Sequence, residues 1–82
     1  MPRYVKTVGM VRCRTDAATM NEIAASGGLS AEPADEPNLF YLRNSGREIE
    51  AEIASDLFAA VSARLDQAVR GGVIPPWSLV RR

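Results

Sequence analysis

The sequence predicts a single small α+β domain, with one antiparallel sheet layer and two helices on one of its faces. Three observations carry this. Apolar and polar residues alternate with period two over residues 4–14 and again over 47–53. Leu57, Phe58, Val61, Leu65, Ala68 and Val69 fall within a 120° arc, roughly, at the helical repeat. The chain has 82 residues, room for one core, so residues 1–82 are read as one domain.

Residues 4–14 read as a strand. Val5, Thr7, Gly9, Val11 and Cys13 form its small, apolar parity and are expected to face the core. Tyr4, Lys6, Val8, Met10, Arg12 and Arg14 form the other. Gly9 in mid-strand predicts a bulge or the close approach of a helix. Thr15 or Asp16 then caps a short helix whose apolar arc holds Ala17, Met20, Ile23 and Ala24, and Gly27-Gly28 stops it. Residues 29–38 contain two prolines, three acids and no period, so they read as a surface loop.

Residues 39–70 allow two readings. In one, a strand leads into a single long helix opening at the capping box Ser45-x-x-Glu48. That phase turns Glu50 into the apolar arc, where a carboxylate is costly. In the other, residues 47–53 form a strand, with Ile49, Ala51 and Ile53 on one side and Glu48, Glu50 and Glu52 on the other. Asn44-Ser45-Gly46-Arg47 then closes a hairpin that sets Arg43 beside Glu48, Leu42 beside Ile49, Tyr41 beside Glu50 and Phe40 beside Ala51. The phase argument favours the hairpin. The last helix then starts at Ser55 as N-cap and ends at Arg70 before Gly71-Gly72. Pro75-Pro76 excludes helix beyond it. Trp77, Leu79 and Val80 are too apolar for a free tail, so they are expected along the helices or as an edge strand. The favoured order is β-α-β-β-α plus an extended C-terminal segment. The alternative is β-α-β followed by one long helix.

Ten basic and ten acidic residues cancel, which argues against a dedicated duplex-DNA binder. Residues 1–14 nevertheless carry only bases and residues 15–38 only acids. The chain has no histidine and a single cysteine, so imidazole chemistry and an intrachain disulfide are both absent. Cys13, on the inward parity and without a base to activate it, reads as a buried hydrophobe. No apolar run has signal-peptide or membrane-spanning length, which points to the cytoplasm and to no membrane. No catalytic residue, cofactor or metal is expected.

The functional expectation is a small, non-catalytic module that binds another protein or protein complex and modulates or inhibits it. Inhibitors carried by phages and mobile elements, some aimed at bacterial defence, have this size and this lack of catalytic groups. Two alternatives stand beside it. The basic N-terminal strand could bind nucleic acid, with Lys6, Arg12 and Arg14 tracking phosphates and Tyr4 stacking. The chain could instead be an accessory subunit of a multi-protein enzyme. The plain structural reading of the basic strand is a solvated face neutralised across strands by Glu48, Glu50 and Glu52. The acidic stretch Glu32, Asp35 and Glu36 reads as a soluble connector. Trp77 is read as core, with an interface role as its alternative. The expected partner-binding patch is the outer sheet face near Tyr4, Met10 and Tyr41, ringed by Arg12, Arg14 and Arg43; a homodimer is a second way to cover it.

Overall fold

The computed structural model describes residues 2–81. In chain order the elements are β1 (Tyr4–Val5), β2 (Thr7–Arg12), α1 (Ala17–Ser26), β3 (Ser30–Pro33), β4 (Leu39–Arg43), β5 (Ile49–Glu50), α2 (Ala51–Arg70) and β6 (Ser78–Val80). Four strands form an antiparallel sheet in the order β3-β4-β2-β6, and β1 pairs with β5 in a separate antiparallel ribbon. The α+β class is as the sequence predicts.

The inward parity of the first strand holds for Gly9, Val11 and Cys13 but not for Thr7, which lies before a register slip and meets Arg43 on the outer face. Val11 and Cys13 are buried, and Gly9 lies against Phe58 of α2, where a Cβ would come within 2.7 Å of the ring. Both readings of Gly9 apply, because the register with β4 slips between Thr7 and Gly9. The extra residue, Val8, packs against the core in spite of its outward parity. Asp16 is the N-cap of α1: its carboxylate accepts the Thr19 N–H at 2.7 Å. Met20 and Ala24 are buried, and Gly27 ends the helix.

Hydrogen bonds from Thr19, its side chain first and then its N–H, hold the Asp16 carboxyl below the ordinary aspartate range. A depressed folded value means that this contribution is complete above the unfolded aspartate value, about 4, and is lost as pH falls through the folded one. Asp16→Asn keeps a capping oxygen but cannot titrate. The melting-temperature gap between the parent and Asp16→Asn is therefore expected to narrow as pH drops from neutral to below about 4. A constant gap across thermal melts in that range would show that Asp16 has no such linkage.

Three expectations are corrected. Residues 29–38 are not all loop, since β3 occupies Ser30–Pro33 and pairs with β4. Pro33 is tolerated because β3 is an edge strand, where a missing N–H leaves no ladder bond unmade. The outer side of that edge is partly closed by Asn21, whose side-chain oxygen accepts the Ala31 N–H at 3.0 Å.

The favoured hairpin does not form. Asn44-Ser45-Gly46-Arg47 does make a tight turn, with the Arg47 N–H donating to the Asn44 carbonyl at 2.9 Å and positive φ at Ser45 and Gly46. The strands on either side of it, however, do not pair with each other beyond the Asn44–Arg47 bridge. β4 pairs with β2 and β3, setting Tyr41 beside Met10 and Glu32, and Phe40 beside Val11 and Pro33. β5 continues along the same line and pairs with β1, setting Tyr4 beside Glu50 and Val5 beside Ile49. One bent N-terminal strand is thus matched by one interrupted strand.

Nor does the last helix begin at Ser55. α2 starts at Ala51, whose N–H donates to the Arg3 carbonyl at 2.7 Å. The main chain before β1 thereby takes up one of the helix's free N-terminal donors. Glu50, which argued against a long helix, is the last extended residue before it and never joins the apolar arc. Ile53 lies on the helix surface, 50% exposed.

The core lies between the helices and the inner sheet face. Val11, Phe40, Leu42 and Ala31 from the sheet meet Met20 and Ala24 of α1 and Val61 and Leu65 of α2. The C-terminal segment closes one end. Ile74 is buried, the Cys13 thiol donates to the Pro75 carbonyl at 3.5 Å, and β6 then adds to the edge of β2. Trp77 is half-buried against the core, and its indole N–H donates to Asp66 at 2.9 Å. Trp77 thus packs on the margin of the core and stays partly exposed, between the core and interface readings, with the polar tip of the ring satisfied by α2.

Candidate functional site

Alternation along β2 and β4 gathers four of the predicted patch residues on the sheet face away from the helices. Register sets Met10 beside Tyr41 and Arg12 beside Leu39, with Arg43 one step along β4. This face is less available than the sequence implied. Met10 is only 8% exposed, and Leu39 on the same parity is buried too. The Arg43 guanidinium stacks over the Tyr41 ring at 4.5 Å, donates from Nε to the Thr7 hydroxyl, and forms an ion pair with Glu32. Arg12 pairs with Glu36 at 2.9 Å. Tyr4 stands apart, exposed on the β1–β5 ribbon, and Arg14 is exposed in the turn after β2.

The neutralising acids are a further correction. They come from β3 and the loop after it, Glu32 and Glu36, and not from Glu48, Glu50 and Glu52. The acidic stretch read as a connector is therefore the electrostatic partner of the outer face. The Arg12–Glu36 pair is well exposed and is worth little by itself, whereas the Arg43–Glu32 pair is partly buried. What they do is set a carboxylate beside each guanidinium, which opposes the approach of a phosphate.

A different surface is open and apolar. Between the first two turns of α2 and the edge formed by β1 and the start of β2 lies a groove of about 320 Å³. Val5, Val8, Phe58 and Leu79 supply its apolar walls, Ala54 and Ser55 its helical side, and Arg3 its one charged lining group. Ala51, Ala54, Ser55 and Phe58 face it because they recur at helical spacing on α2. Leu79 reaches it from β6 and stays 42% exposed, although it shares the inner parity of Val11. Gly9 lies at its back, where the absence of a side chain makes room for the Phe58 ring.

The chain matches no protein-family model, no curated protein and no solved structure. The groove, the ion pairs and the buried groups are therefore what bears on function. Cys13 is buried, and burial pushes its thiol pKa up, away from the thiolate that a nucleophile requires. No group of three or more His, Cys, Asp or Glu side chains among the described residues could hold a metal. No helix among them is long and apolar enough to cross a membrane.

Sequence reasoning missed the groove and placed the patch on the other side of the sheet. The signal available was Leu79 together with Val5 and Val8, which the alternation over residues 4–14 assigned to opposite faces and which the bulge at Val8 brings to one side. What made them a surface was the choice of strand partners, which no local pattern records.

Proposed function

We propose that this chain is a small protein-interaction module that modulates or inhibits a larger macromolecular complex by occupying part of its surface. The observation that supports this reading best is the groove between α2 and the β1–β2 edge, an open apolar concavity left uncovered beside a core that is otherwise closed. Large apolar side chains at a contiguous open site are the ordinary mark of a recognition surface. Nucleic-acid binding through the basic strand has less in its favour, because Arg12 and Arg43 are already held by Glu36 and Glu32.

Affinity capture from a lysate of the source cells, followed by reconstitution of the purified pair, tests this. The expected result is a complex of fixed stoichiometry that survives nuclease and weakens only modestly between low and moderate salt. Capture that disappears with nuclease, and affinity that falls steeply as a power of salt concentration, would place the chain with nucleic-acid binders instead. Turnover of a substrate by the purified chain would sink the reading outright.

A further inference from the structure

We infer that the groove binds an extended segment of a partner protein, which adds as a strand to the open edge of β1–β2 and places a carboxylate at Arg3; this rests on the protein-interaction reading above. The first support is main-chain geometry. β4 and β5 cover one side of the bent N-terminal strand along its length. On the other side β6 covers only Met10, Val11 and Arg12. Among the described residues no strand pairs with that side over residues 4–9. Successive residues of a strand turn their main-chain groups to opposite sides. The Arg3 carbonyl is turned to Ala51 at the start of α2 and Val5 is paired with Ile49, so the N–H and C=O of Tyr4 face the open side.

The second support is that the groove lies directly beside this edge. A strand added in line with β6 would turn every second side chain toward Val8, Phe58 and Leu79. Main-chain hydrogen bonds along an open edge, with pockets for alternate side chains, are the elements of recognition by strand addition.

The third support is charge. The groove lining holds one cation, Arg3, and no carboxylate. Lys6 lies at the bend of the edge and Arg81 directly after β6, both exposed. Among the described residues no ion pair engages Arg3, Lys6 or Arg81. Glu50 and Glu52 line a separate depression on the other side of Arg3. The occupant that fits is therefore apolar at alternate positions and acidic between them. A second copy of this chain fits poorly: its β6 would bring Arg81 against Arg3 and Lys6. The Glu32 of its β3 is already paired with Arg43, and Asn21 already takes the Ala31 N–H.

A displayed library of random linear peptides, panned against the full chain, provides the probe. Enriched peptides are expected to alternate apolar with polar residues and to carry Asp or Glu. At saturation the best of them should slow hydrogen exchange at amides within residues 4–9. Arg3→Glu and Leu79→Asp alter exposed side chains, so both variants should melt like the parent and lose about tenfold or more in peptide affinity. Methylating alternate peptide amides should abolish binding. No enrichment, protection confined to other segments, or affinity indifferent to both substitutions would overturn the inference. So would a chain that is dimeric by light scattering and becomes monomeric in Leu79→Asp, since a second copy would then fill the groove. The same variants separate the two levels of the argument. A captured partner that binds both undiminished leaves the interaction module standing and removes the groove from it. A chain that captures no protein removes the module reading, whatever the peptides show.

Discussion

Leu65→Ala is expected to cost about 2–5 kcal/mol, the range for a fully buried leucine whose neighbours cannot collapse into the space. Leu65 is fully buried in the C-terminal half of α2 and belongs to the cluster that joins both helices to the inner sheet face. A domain of this size has roughly 4–12 kcal/mol of stability in total. The loss should therefore appear as a fall of roughly 10–30 °C in melting temperature. Ile53→Glu is the informative control. A hairpin strand over residues 47–53 would bury Ile53, and the charge would then be as damaging as the leucine truncation. In the observed fold Ile53 is on the outer surface of the first turn of α2, half exposed, and the change should lie within about 0.5 kcal/mol of the parent. Thermal and urea melts of the two variants give the answer, and comparable losses from both would contradict the start of α2 at Ala51.

Gly27→Ala is expected to destabilise by about 1–3 kcal/mol, toward the upper end, although only one methyl group is added. Gly27 closes α1 where that helix crosses α2. A Cβ there would lie 2.6 Å from the Val61 Cγ2 and 3.1 Å from the Val61 Cα and N. Side-chain rotation can relieve the first contact but not the other two, which are main chain. Relief requires moving one helix off the other, and that opens the packing around Met20, Ala24, Val61 and Leu65. The strain is not conformational, since φ at Gly27 is −104°, which any residue can adopt. Gly9→Ala makes the contrast. Its new Cβ would meet the Phe58 ring edge at 2.7 Å, but that ring borders the open groove and can swing toward it. A loss of about 1 kcal/mol or less is expected there. Calorimetric melts that rank Gly9→Ala above Gly27→Ala would show that the helix crossing is looser than its geometry.

The difference between these two glycines also shows how much was legible beforehand. Gly9 stood out in the sequence because it interrupts an alternating strand. Gly27 read only as a helix stop, because the residue it makes room for, Val61, lies on another element. The same holds for the candidate site. Met10, Arg12, Tyr41 and Arg43 do share a face, as parity required. Their availability could not be read, since the acids that hold both arginines come from the segment taken for a loop.

By itself the sequence determined the α+β class, the inward parity of Val11 and Cys13, the span of α1 between Asp16 and Gly27, and the core arc of α2. These are settled by interactions a few residues apart: a cap, a helical turn, the alternation of a pleat. Only the tertiary structure decided which strands pair, where α2 begins, and that the groove beside Arg3 exists. Strands of three or four residues, such as β6 and β3, are too short to show a period, and the alternating runs that contain β1 and β5 mark faces but not partners. Their placement is decided by main-chain donors and acceptors far along the chain, as when the Arg3 carbonyl takes the Ala51 N–H and so moves the helix start one turn ahead of Ser55.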